Sequence, residues 1–174
     1  MCSHRYRVVA IGDKSPSMMS EITRDLFKYG CEINTISSLR LGHSFVIVLM
    51  IEAYINEHTI HDALQPVIEK YNIQLDINHC TRGNYKFVKS DAFIRIKGEH
   101  SAGIITSIIG QFSEAGLDIH GLESDVYNKD GHDVFVSNIK GQAKKSIENL
   151  ANVANKLKQQ NINVTVATDW QLLV

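Results

Sequence analysis

Apolar residues follow two spacings that alternate along the chain. Residues 6–11, Y-R-V-V-A-I, form a short β-rich run closed by Gly12-Asp13. Met18, Met19, Ile22, Leu26 and Phe27 then recur at helical spacing. Pro16 suits the first turn of that helix, with Ser15 before it as N-cap. Gly30 stands where the helix end needs a left-handed residue. Residues 31–41 read as a strand turned at Gly42-His43. Residues 45–51, F-V-I-V-L-M-I, are the most continuous apolar run and predict a central strand. A second helix is expected over residues 57–71, broken or kinked near Gln65 by Pro66. Residues 73–77, I-Q-L-D-I, alternate as a strand.

The same order then starts again. Strands are expected at 92–96, 117–127, 134–139 and 161–168, and helices at 104–112 and 143–160. Asn128-Lys129-Asp130-Gly131 is a strong hairpin turn. Gly12 and Gly98 are 86 residues apart, as are Gly30 and Gly116, and Ile33 and Ile119. Ile22/Ile108 and Ser38/Ser124 also match in this register. Two glycines in step with the apolar pattern indicate one unit written twice. Each copy reads β-α-β-β-α-β, which predicts an α+β chain of two ferredoxin-like units. Each should be a four-stranded antiparallel sheet with both helices on one face and the other face open to a partner. The expected boundaries are 1–83 and 91–174, with a linker over 84–90.

Net charge is −1 with acids and bases interspersed, so no basic face points to direct contact with nucleic acid. Lys140, Lys144, Lys145, Lys156 and Lys158 read as the solvated face of one helix. Cys2, Cys31 and Cys80 are too few and scattered for a disulfide framework, and Cys31 suits a small buried role. No apolar run reaches membrane-spanning length, and M-C-S-H-R-Y-R lacks the apolar core of a signal peptide. A cytoplasmic protein with no membrane contact is expected.

The turn before each first helix is the best candidate site. Amides at a helix start are unpaired, and the helix dipole favours an anion such as a ligand carboxylate. A small residue lets a ligand approach the backbone; Gly103 offers this in the second copy and Ser17 in the first. The acid opening the next strand, Glu32 or Asp118, could hold a ligand ammonium group. These parts suit a small amino acid. A turn that only caps a helix reads the same way on these residues alone.

The copies read G-D-K-S-P-S…G-C-E-I and G-E-H-S-A-G…G-L-D-I. This resembles a tandem pair of ACT domains, whose core pattern is a strand, a turn close to G-x-D-R-P-G, a helix, and G-x-N-I. G-C-E-I followed by L-R-L-G-H-S-F-V-I-V-L is similar to the glycine cleavage system transcriptional repressor group. The resemblance implies a regulatory module that binds an amino acid between paired domains, with contacts from a turn and from the G-x-N-I residue of an adjoining domain. Those positions are Gly12, Lys14 and Glu32 in the first copy, and Gly98, His100 and Asp118 in the second. Lys14 and His100 stand where the family often has Asp, Ser17 where it has Gly, Ala102 where it has Pro, and Glu32 and Asp118 where it has Asn. The second copy keeps Gly103 and is the favoured binder, through Gly98, Glu99, His100, Ser101, Gly103, Ile104 and Asp118.

Competing chemistry is thin. His58 and His61 share a helical face, but no further zinc ligands are in evident reach. Side chains of His79 and Cys80 point to opposite faces of a strand, and Gly42-His43-Ser44 lacks the closing glycine of a nucleophile elbow. No phosphate loop, dinucleotide fingerprint, cofactor motif or catalytic carboxylate pair is present. The expected protein is a non-catalytic sensor of a small amino acid, glycine among the candidates. The resemblance implies that it acts on a transcriptional activator by protein contact. A ligand-free assembly module and a subunit regulating a metabolic enzyme in trans stay open as alternatives. The two copies are expected to associate, and the chain to form a homodimer.

Overall fold

The computed structural model describes residues 3–13, 17–80 and 89–169. Lys14, Ser15, Pro16 and Cys2 lie outside that set, as does the linker up to residue 88. The chain divides into two compact units, Met1–Tyr85 and Lys86–Val174.

The first unit runs β1 (His4–Asp13), α1 (Met18–Lys28), β2 (Glu32–Leu41), β3 (Ser44–Ala53), α2 (Glu57–Tyr71) and β4 (Gln74–His79). Its sheet has the order β2-β3-β1-β4, with antiparallel neighbours throughout. Tyr6, Val8 and Ala10 alternate inward along β1, and Ile47, Leu49 and Ile51 do so along β3. They meet Met18, Ile22 and Leu26 of α1 and Ile60, Leu64 and Val67 of α2 in one core. Each fully buried side chain of this size contributes about 1.5–3 kcal/mol. Cys31 belongs to this core, and burial raises its thiol pKa.

The second unit repeats the plan as β5 (Ala92–Glu99), α3 (Ile104–Glu114), β6 (Leu117–Lys129), β7 (His132–Ala143), α4 (Ile147–Gln159) and β8 (Asn163–Ala167). Its antiparallel sheet has the order β6-β7-β5-β8, the same topology. Both ends of α3 lie 86 positions beyond those of α1. The irregularities agree as well: β2 has a register shift between Ile33 and Thr35, and β6 between Ile119 and Gly121. Asn34 and His120 are thus the extra residues of two bulges, again 86 apart. Asp130 (φ 52°) and Gly131 (φ 84°) form the tight turn of the β6–β7 hairpin.

Helix ends follow local chemistry. Gly30, at φ 72°, closes α1 with Gly30 N–H donating to Phe27 O at 3.0 Å and Cys31 N–H to Leu26 O at 3.1 Å. Asn161, at φ 62°, does the same for α4, with Ile162 N–H on Leu157 O at 3.1 Å. Asn56 caps α2 through Thr59 N–H, and Ser146 caps α4 through Glu148 and Asn149 N–H.

Four sequence expectations change. α1 begins after Ser17, whose side chain makes no cap bond, two residues later than Ser15-Pro16 suggests. β1 and β5 do not stop at their glycines: Gly12 pairs with Phe45 and Gly98 with Phe135 inside the sheets. α2 runs unbroken through Pro66. Pro66 and Asp62 are both exposed, so water can serve the carbonyl that loses its intrahelical partner. Finally, α4 starts at Ile147 rather than 143, because Ser146 caps it and Ala143 still belongs to β7. The late lysines therefore share no single helix: Lys140 is on β7, Lys144 and Lys145 follow it, and only Lys156 and Lys158 ride on α4.

Candidate functional site

The turn before α3 is fixed by one glycine. Ile104 N–H donates to Ser101 O at 3.2 Å, closing a four-residue turn, and Gly103 at its third position has φ 81° and ψ −6°. That is the type II geometry, which favours glycine. A Cβ on Gly103 would meet nothing within 4 Å, so conformation and not crowding selects the residue. His100 N–H donates to Asp133 O at 2.7 Å and ties the turn to the start of β7. Glu99, His100, Ser101 and Gly103 are exposed, while Ile104 leans into the core of its unit. No side chain caps α3, and its first turn holds no acid. An exposed helix start is thereby open to an anion.

The strand glycines have a different task. A Cβ on Gly12 would sit 2.9 Å from Ile73 Cγ1 and 3.1 Å from Tyr71 O; one on Gly98 would sit 3.0 Å from Phe135 Cε1. Both face the helix layer and admit close packing there. In the first unit, Ser17 is exposed and Lys14 is outside the described residues.

The two acids open their strands at the far end of each unit. Glu99 pairs with Val134 on β7, whereas Asp118 pairs with Gln142. Asp13 pairs with Ser44 on β3, and Glu32 with Glu52. In both cases the two positions are eight residues apart along the strand, or about 27 Å at strand rise. Turn and acid of one unit therefore do not converge on one small molecule; a ligand held by both kinds of group needs groups from two units.

The acids also differ from each other. Asp118 Oδ2 lies 3.2 Å from Lys144 Nζ and 3.8 Å from His120 Nε2, with its side chain half exposed. Glu32 is exposed and has no side-chain partner among the described residues. Sequence reasoning missed Lys144 and His120. Lys144 was assigned to a helix that begins three residues later, and Ser146 ahead of I-E-N was the overlooked start signal. No group of three or more metal-ligating side chains is gathered among the described residues, and His58 and His61 are exposed on α2. No helix is long and apolar enough to cross a membrane.

Comparison with known proteins bears on these two units. The ACT domain family profile matches residues 7–77. The first unit is an ACT domain. The second unit has the same βαββαβ fold. Two solved structures share the architecture over nearly the whole chain. An unknown protein from Galdieria sulphuraria, 12% identical, superposes with a TM-score of 0.74 over 97% of this chain and 99% of its own. A "putative glycine cleavage system transcriptional repressor", 10% identical, does so with a TM-score of 0.67 over 95% and 97%. At these identities the likeness is one of fold. No curated protein sequence matches the chain.

Proposed function

We propose that this ACT protein is a non-catalytic cytoplasmic regulator that senses a small amino acid and passes the signal on by protein contact. The turn at Ser101–Ile104 carries the reading. It is exposed, its glycine is required by φ, and it leads into an uncapped helix start that suits a carboxylate. Glycine is the first ligand to try, because Gly103 leaves open space without shaping a side-chain pocket. The ammonium group would go to an acid at the start of β2 or β6 contributed by a different unit, since the acid of the same unit is too far away. Ligand binding would favour one arrangement of units over another. The fold shared with the repressor-like structure supports a transcriptional activator as the protein partner. A homodimer would supply the further units: Leu122 and Val126, 37% and 46% exposed on the edge strand β6, offer an apolar margin for pairing.

Thermal unfolding of the full chain with each of the twenty amino acids tests this. A ligand selective for the folded state raises Tm, and the shift grows with the logarithm of its concentration above Kd. The expected result is a shift with one or a few small amino acids that Gly103→Val abolishes. No shift at millimolar concentration overturns the sensing role. One observation favours a second reading, a ligand-free assembly module: Asp118 is already paired with Lys144. That reading predicts a stable dimer by light scattering that no amino acid alters.

A further inference from the structure

At the opposite end of the first unit from its turn, two imidazoles face each other. His79 Nε2 lies 3.3 Å from His4 Nδ1. The rings are 5.4 Å apart by centroid and tilted by 59°. Tyr6 holds His79 edge-on at 5.5 Å, and its own hydroxyl is fixed on Ile55 O at 2.9 Å. Residues 4 and 79 sit on neighbouring strands, β1 and β4, so the sheet itself sets their spacing. Both histidines border an open cleft of about 650 Å³ that Glu57, Asn56 and Tyr54 also line.

The second unit serves as an internal comparison. The strand pairs Val8–Ile77 and Ile94–Val166 are equivalent, which places Ser90 and Thr168 where the first unit has His4 and His79. The fold does not call for imidazoles at these positions, since its second copy does without them.

We propose that His4 and His79 form a two-imidazole site for a late divalent transition metal, with Zn²⁺ as the probe ion. Two nitrogens bound to zinc at tetrahedral angles stand about 3.4 Å apart, given Zn–N distances near 2.1 Å. The observed 3.3 Å meets that spacing. Imidazole is a borderline donor that favours zinc, nickel and copper over magnesium or calcium. Without metal the same distance accommodates one ring donating an N–H to the other. On metal entry the donor ring moves its proton to the outer nitrogen, and both lone pairs turn to the ion. Two protein donors leave coordination positions open toward the cleft, where the Glu57 carboxylate adds negative charge. The bound ion would clip together positions 75 residues apart. This site does not depend on the amino-acid reading.

The test uses the full chain stripped with chelator, then titrated with Zn²⁺ at pH 7.5 by calorimetry and followed by the histidine ring resonances. One ion per chain is expected, with the resonances of His4 and His79 shifting first. His4→Asn or His79→Asn should weaken binding at least tenfold, while His58→Ala with His61→Ala changes it less than twofold. Zn²⁺ should also raise Tm in the parent chain and not in the His4→Asn, His79→Asn double variant. Absence of saturable binding, or binding that survives the double variant, overturns the proposal. Both histidines are exposed, so the variants keep their fold, and circular dichroism verifies it.

Discussion

Lys144 Nζ stands 3.2 Å from Asp118 Oδ2, the carboxylate proposed above for a ligand ammonium. Lys144 also donates to Gln142 Oε1 at 2.6 Å, so it is anchored from two sides. An exposed pair of this kind contributes little to stability, on the order of 0–1 kcal/mol. Its consequence for binding is larger. Lys144→Met is expected to leave the denaturation midpoint nearly unchanged and to enlarge the Tm shift produced by an amino acid whose ammonium goes to Asp118. If that shift is instead unchanged while Glu32→Gln removes it, the acid of the first unit is the one in use.

The turn glycine and a helix glycine of the same segment should respond in opposite directions. Gly103→Ala forces a side chain into φ 81° and should destabilise by about 1–2 kcal/mol. Gly110 lies inside α3 with open space around its Cα, so Gly110→Ala should stabilise by about 0.5–1 kcal/mol. Urea denaturation of both variants measures the pair. A Gly103→Ala variant as stable as the parent would argue against the turn assignment.

The repeat was legible because glycines and apolar positions recur in step, and local rules fix both. Gly30 and Gly116 must be left-handed, and Ile22 and Ile108 must face inward, so the sequence records them directly. The strand glycines were misread as turns because a glycine admitting Phe135 looks the same in sequence as one turning the chain. The distance between Asp118 and the turn could not be read at all. It depends on the register between β6 and β7, which only the paired strands define. His4 and His79 escaped for the same reason, being brought together by the β1–β4 pairing.

Gly141 marks the tightest approach in the second unit. A Cβ there would fall 2.2 Å from the backbone oxygen of Asp118 and 3.0 Å from Leu117 Cδ1. The first obstacle is backbone and cannot rotate away. Gly141→Ala should therefore destabilise by about 3 kcal/mol or more and push the start of β6 off β7. Gly121→Ala meets only the side chain of Lys140, which can swing clear, and should be much milder. Denaturant midpoints of the two variants decide between these accounts.

Glu21 of α1 gathers two donors from the end of α2: Lys70 Nζ at 2.7 Å and the Tyr71 hydroxyl at 2.7 Å. The hydrogen bond from Lys70, followed by that from Tyr71, holds the Glu21 carboxyl below its ordinary pKa. The Lys70 ammonium is raised in turn, chiefly by Glu21. A lowered acid contributes stability above its unfolded value, about 4.3, and loses it as pH falls through the folded value. A raised amine contributes below about 10.4 and loses its share as pH climbs through the folded value. The link between α1 and α2 is thus at full strength from roughly pH 5 to 10. Glu21→Gln should lower Tm at pH 7, and the gap to the parent should shrink by pH 3. A gap that is constant with pH would remove the electrostatic account.

The bulges at Asn34 and His120 divide each second strand into two stretches of opposite parity. Ahead of the extra residue the acid looks away from the helices; beyond it, alternate positions rejoin the sheet on their own count. Glutamate in one half and aspartate in the other can therefore change without turning a core side chain outward. Such a decoupled end lets two copies of one scaffold differ in surface chemistry at that margin while their interiors stay alike.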